Sequence, residues 1–279
     1  MPARVEETAA AAAGGKLYVM GGFAAAGYSL ATVYVFDGHV WTSGPQLLLP
    51  LDHASAATLD GRLYIAGGHS NGLDSARLFR LDGDHWTELA AMHYARGGHS
   101  LIASQGLLVA IGGNTARGNV APVESYDPAA NAWTVLPSLP SPRNHVAGFV
   151  KGQLACVAGG RSPTTSRVDC IAVANSTWDR MPDLPRATSG AGAVTFPSGA
   201  IVVLGGQNAG ETAIVDQLTR YTPGAGWSTG ETMLVPRHGF ELALFEGRGW
   251  ACGGGIAPGL HPVATCTSVG DLASSQRGK

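Results

Sequence analysis

Long apolar runs are missing from this chain. None approaches the roughly 20 residues that a membrane-crossing helix needs, and the stretch from Thr8 to Ala13 has neither the basic start nor the length of a secretory leader. Charge is scarce too: 14% of the 279 residues are Asp, Glu, Lys or Arg, and the net charge is −2. Such a chain has no global attraction for nucleic acid or anionic membranes, so neither a nucleic-acid partner nor membrane insertion is expected. With 45% hydrophobic residues it is also too apolar to stay unfolded. Compact catalytic signatures are lacking. Gly190-Ala191-Gly192 has Thr195 where a dinucleotide loop places its third glycine, no phosphate-loop lysine follows a Gly-rich turn, and Ser189 lacks the preceding glycine of a nucleophile elbow. The histidines show no tight zinc spacing, so no metal or other cofactor is expected.

What the sequence has instead is a repeat. A Gly-Gly pair recurs six times at near-constant spacing, at Gly21-Gly22, Gly67-Gly68, Gly112-Gly113, Gly159-Gly160, Gly205-Gly206 and Gly253-Gly254, in steps of 45 to 48 residues. A period in the forties with short apolar runs and no helical patterning marks a repeat architecture whose function sits in the loops of one face. Each pair closes a short buried run such as Leu63-Tyr64-Ile65-Ala66 or Ile201-Val202-Val203-Leu204. A tryptophan follows 19 to 22 residues after the first glycine, at Trp41, Trp86, Trp133, Trp178 and Trp227, just beyond turn signals such as Asp37-Gly38 and Asp127-Pro128. The runs before the apolar strands are rich in small residues, for example Ala54-Ser55-Ala56-Ala57, as strands crowding a common axis must be. Each unit therefore reads as four strands: a thin inner strand a, an apolar strand b ending in Gly-Gly, a strand c leading to the turn, and an outer strand d with Trp. Six such sheets around a channel make an all-β, six-bladed β-propeller.

This pattern resembles the kelch repeat family, most closely from Val123-Glu124-Ser125-Tyr126-Asp127-Pro128 through Trp133 and Pro142-Arg143 to Gly159-Gly160. The resemblance covers almost the whole chain and implies a kelch-type propeller over residues 1–272, a single domain, followed by a disordered tail at 273–279. Two departures stand out. Leu51-Asp52 fills the place where other units have Arg, and the sixth unit has neither turn nor Trp after Thr265 to Val269. The last blade is therefore expected to lack its outer strand, leaving an edge open to pairing with another segment.

An Arg precedes the inner strand in five units, at Arg4, Arg96, Arg143, Arg186 and Arg237, and the residues after Gly-Gly include His69, Asn114, Arg161 and Gln207. In kelch-like propellers both places lie at the channel mouth, so the leading expectation is a recognition module that binds a protein partner or a small anionic ligand at an Arg-lined face. The opposing reading is structural: a recurring Arg hydrogen-bonds neighbouring carbonyls or pairs with acids such as Asp52, Glu6 or Glu7. His53, His99, His145, His238 and Glu241 follow nearby. Of these, His238, Glu241 and His145 are the candidate acids and bases. They carry the alternative, an isomerase, epimerase or lyase acting on a carboxylated or sugar-acid substrate at the same mouth, for which kelch-like sialic-acid epimerases or mutarotases are a precedent by resemblance.

The four cysteines form two pairs of equal separation, Cys156 with Cys170 and Cys252 with Cys266, each spanning strands b and c of one blade. Intrablade disulfides are the natural pairing, and free buried thiols are the competing reading. Bonded cysteines imply an extracellular or periplasmic protein; free ones, a cytoplasmic one.

Overall fold

The computed structural model describes residues 1–271 and contains six antiparallel sheets and no α-helix among them. The tail expected at 273–279 lies outside the described residues. Blade 1 comprises Ala9–Ala13, Lys16–Met20, Val33–Phe36 and Trp41–Ser43. Blade 2 comprises Asp52–Leu59, Arg62–Ser70, Leu78–Asp82 and His85–Leu89, and blade 3 Gly97–Ser104, Leu107–Thr115, Val123–Asp127 and Ala132–Leu136. Blades 4 and 5 repeat the order with inner strands Ala147–Lys151 and Gly192–Thr195. Blade 6 has three strands among the described residues, Leu242–Phe245, Arg248–Cys252 and Cys266–Gly270, as its missing turn and Trp imply. Beside its outer edge lies a groove of about 640 Å³ lined in part by Leu204, Leu218, Met233 and Leu234.

The core is divided into six apolar clusters, one in each gap between neighbouring blades. Ile65 and Phe79 pack against Ala9 and Met20 between blades 1 and 2, and Phe245 and Cys252 against Leu17 and Val19 between blades 6 and 1. That last cluster closes the ring.

The Gly-Gly pairs are the joints. The second glycine of each pair donates its N–H to a carbonyl of the next blade: Gly22 to Leu51, Gly68 to Arg96, Gly113 to Arg143, Gly160 to Thr188, Gly206 to Arg237 and Gly254 to Val5, at 2.7 to 3.0 Å. A Cβ on the first glycine of each pair would run into that same carbonyl oxygen, and all twelve glycines have positive φ. The sixth joint shows what the N-terminal lead-in does. Strand a of blade 1 starts at Ala9 rather than near Arg4, and Val5 before it bonds Val263 and Gly254 of blade 6. At the rim, the indole N–H of Trp86, Trp133, Trp178 and Trp227 donates to Pro45, Ala90, Pro137 and Pro182 of the preceding blade. Four of the five landmark tryptophans are thus outer staples.

Both cysteine pairs are disulfides, formed between directly opposed residues of strands b and c.

Candidate functional site

Three of the five arginines expected at the mouth are buried within the wall. Arg96, Arg143 and Arg237 are 0% exposed. Arg96 donates to the carbonyls of Gly112 and Pro122 and pairs with buried Glu124 at 2.8 Å. Arg143 reaches the Gly159 and Ser141 carbonyls and Asp169 at 2.9 Å. Arg237 is spent on the carbonyls of Gly253 and Thr265, and burial without a carboxylate lowers its pKa to about 10. Each guanidinium fills the end of its own blade, where strand b turns at Gly-Gly and strand c begins, and satisfies carbonyls that those elements leave open. The structural reading therefore holds for these three, and a basic ring presented to an anion is not formed. Arg4 and Arg186 are exposed and out of register with the others. The carbonyl joints show Val5, Leu51 and Thr188 as the true counterparts of the buried arginines.

The mouth is built two residues further on. Glu7, His53, Gly98, His145, Gly190 and Gly239 occupy the same place in the six blades, each with φ between 51° and 66°. Five main-chain bonds link these six positions around the axis: Glu7 N–H donates to Gly239, His53 to Glu7, His145 to Gly98, Gly190 to His145 and Gly239 to Gly190, at 2.6 to 3.0 Å. The left-handed conformation aims these five N–H groups at the neighbouring blade. Glycine adopts it freely, whereas a side chain there costs on the order of 1–2 kcal/mol. Three blades carry a side chain regardless.

Those three side chains meet. His53 Nε2 lies 3.5 Å and His145 Nε2 3.9 Å from Glu7 Oε2, and the three candidate donor atoms are all within 4.8 Å of one another. His238, the residue before Gly239, brings Nδ1 to 3.8 Å from Glu7 Oε1. The far sides of the rings are fixed: His53 Nδ1 on Asp52 Oδ1 at 2.6 Å, His145 Nδ1 on Asn144 Oδ1 at 2.6 Å, and His238 Nε2 on the Ala257 carbonyl at 3.1 Å. Burial pulls the His53 pKa down, but the charges of Glu7 and Asp52 outweigh it and the net shift is upward. His145 is held neutral, its pKa far below the usual value through burial and the charges of His53 and Arg161.

Of the residues after Gly-Gly, Arg161 joins the cluster, with NH2 2.8 Å from His145 Nε2 and NH1 2.6 Å from Glu211. His69 stacks edge-on to His53 at 5.5 Å and pairs with Asp74 at 3.0 Å. Gln207 is buried and bonds the backbone of Ser189, and Asn114 pairs with Asn119 across a short hairpin, its Oδ1 lacking a partner. These two do not join the cluster. Below the mouth runs a channel of about 110 Å³. Glu241 stands in it, accepting hydrogen bonds from Ser55 Oγ and from the amides of Ala10 at 2.7 Å and Ala56 at 3.1 Å. Burial outweighs those donors and raises its pKa to about 7. His99 is also buried in the channel wall, with neither ring nitrogen partnered. The candidate acids and bases are therefore divided: His145 and His238 belong to the mouth, Glu241 to the channel.

Sequence pattern alone makes Glu7 a partner for arginine and does not place it at the mouth. Counting back from Gly-Gly would have found it, because Glu7, His53, Gly98, His145 and Gly239 all stand 14 residues before the first glycine and Gly190 15 before.

Comparison with known proteins agrees with this architecture. The kelch motif matches residues 7–48, 50–93 and 95–140, the first three blades. Kelch-like protein terF of Aspergillus terreus is 26% identical over 92% of this chain and 63% of its own length, and Kelch-like protein 35 of Mus musculus 28% identical over 80% and 38%. Alpha-scruin of Limulus polyphemus is 32% identical over 42% of the chain and 14% of its own. The chain thus spans less than two thirds of each of these relatives. The solved structure of YjhT superposes with a TM-score of 0.82 over 98% of this chain and 97% of that one, at 15% identity. With six Gly-Gly joints in register and kelch motifs matched across half of the ring, the chain belongs to the kelch-repeat family.

Proposed function

We propose that this propeller is a protein-recognition module whose partner docks on the mouth face, over Glu7, His53, His145, Arg161 and His238. The observation that carries this reading is the rim around the cluster. Ile256, Tyr28 and Leu73, in the loops after Gly-Gly of blades 6, 1 and 2, are 49%, 53% and 74% exposed. Large apolar side chains on three consecutive blades, flanking a polar centre, have the composition of a protein interface. Volume weighs against the enzymatic alternative. Small-molecule sites take up roughly 300 Å³ or more, whereas the channel behind the mouth offers about 110 Å³, too little to enclose a sugar acid beside Glu241. The relatives named for their kelch repeats support a binding role.

Two further parts of the reading follow. The outer edge of Cys266–Gly270 offers a row of backbone groups to an added strand, because no fourth strand covers it among the described residues. The two disulfides suit an oxidising compartment, extracellular or periplasmic.

A photo-crosslinking amino acid at position 73, on the mouth face, and another at position 60, in the a–b hairpin at the opposite end, test the docking face in cells. Discrete adducts from position 73 alone are expected. Equal labelling from both, or labelling only from position 60, overturns the proposal.

A further inference from the structure

The mouth cluster has a property that recognition of a partner does not require. We propose that Glu7, His53 and His145 form a binding site for a divalent transition metal of the zinc type. Two independent observations converge on these residues. They are the three side chains borne at the six left-handed positions of the mouth, where the remaining blades have Gly98, Gly190 and Gly239. Residues kept in a disfavoured backbone conformation when glycine serves the neighbouring blades equally well are held there for what their side chains do.

The second observation is the geometry of the donors. At 3.5 and 3.9 Å from the carboxylate oxygen, the Nε2 atoms of His53 and His145 are beyond hydrogen-bonding distance. Two ligands of a tetrahedral zinc ion, each about 2.0–2.1 Å from the metal, stand about 3.3 Å apart, a spacing that the three donors, all within 4.8 Å of one another, reach by closing in on a shared ion. Each imidazole is also oriented as a ligand. The Nδ1 atoms of His53 and His145 are engaged by Asp52 and Asn144 at 2.6 Å, which turns Nε2 toward Glu7. An outer carboxylate or carbonyl oxygen on the far ring nitrogen is the usual support of a metal-bound histidine. Two nitrogens and one carboxylate oxygen suit Zn²⁺ and leave a fourth position for water or for a donor from a docked partner. His238, 3.8 Å from the other oxygen of Glu7, stands beside this set.

Arg161 is the opposing element. Its NH2 donates to His145 Nε2 at 2.8 Å, while its NH1 holds Glu211 at 2.6 Å. The side chain is partly exposed. Metal binding requires it to release His145 and retain Glu211.

The test is a titration of the full chain, stripped with chelator and dialysed, with ZnCl2 by calorimetry. One equivalent is expected at micromolar affinity or tighter. His53→Gly and His145→Gly restore the residue that three other blades carry, so the fold is preserved, which circular dichroism without metal verifies. Each is expected to weaken Zn²⁺ binding at least 100-fold, and Arg161→Gln to tighten it several-fold by removing both a cation and a competing donor. His85→Ala, on an exposed outer hairpin, is expected to change nothing. Co²⁺ in place of Zn²⁺ should give visible absorption bands of a low-coordinate site that Glu7→Gln abolishes. Absence of binding to the wild-type chain, binding unaffected by both glycine variants, or weaker binding in Arg161→Gln would each overturn the assignment.

Discussion

The amide of Gly254 donates to the carbonyl of Val5 at 2.9 Å, joining the last blade to the lead-in of the first. The five other joints bond blades that follow one another in the chain, whereas this one spans nearly its whole length. Gly254 has φ of +84°, and a Cβ there would lie 2.7 Å from the His238 carbonyl. Gly83 has φ of +67° with no atom near an added Cβ. Gly83→Ala should therefore cost about 1 kcal/mol from backbone conformation alone, and Gly254→Ala roughly 2 kcal/mol more. Urea denaturation of the two variants measures the difference, and equal losses would show that closure does not depend on this joint.

The arginines separate by burial. Arg96→Met leaves the buried Glu124 carboxyl without its guanidinium partner, and should cost about 3–5 kcal/mol. Arg237→Met forfeits hydrogen bonds to carbonyls and to the Thr265 hydroxyl but no ion pair, and should cost about 1–3 kcal/mol. Arg4→Ala and Arg186→Ala, both exposed, should stay within about 0.5 kcal/mol of the parent. A denaturation series in which all four behave alike would contradict the division.

Each disulfide closes a short loop across one hairpin, the cysteines being 14 residues apart. In the chain-entropy account such a loop is worth about 3 kcal/mol. Cys156→Ala with Cys170→Ala should lower the melting temperature accordingly, and native protein should take up no iodoacetamide, as intact mass reports.

Glu241 makes stability depend on pH with a sign opposite to most carboxylates. Its pKa is raised in the folded chain to about 7 from the usual 4.5. Between these values the folded state holds a proton that the unfolded state has released, so stability falls as pH rises, and the penalty is complete above about 7. The full shift corresponds to about 3 kcal/mol, less whatever channel water screens. Subtracting the pH profile of Glu241→Gln from that of the parent isolates the contribution, and a difference that does not change between pH 5 and 8 would refute it.

How much of this was legible in the sequence follows from what each residue contacts. The blades could be read because Gly-Gly and Trp each serve a local geometric need, close approach to a carbonyl in all six repeats and an outer staple in four. The fate of the arginines could not, since a cation preceding a strand looks the same in sequence whether it faces the axis or turns back into its own blade. Arg4 and Arg186 show the difficulty: each falls near the right place, one and two residues out of register, and the structure puts Val5 and Thr188 there instead. The cluster of Glu7, His53 and His145 comes from blades 1, 2 and 4, and only closing the ring gives those positions a common neighbourhood.

The circle of left-handed positions has a consequence for how such a protein changes over time. Each site on it is a socket held by main-chain bonds to adjoining blades, and Glu7, His53 and His145 show that those bonds persist when a side chain fills it. Glycine is the blank. Swapping a blank for a histidine or a carboxylate alters the chemistry at the axis while the wall stays as it was, so new specificities can be assembled one socket at a time from an unchanged turret.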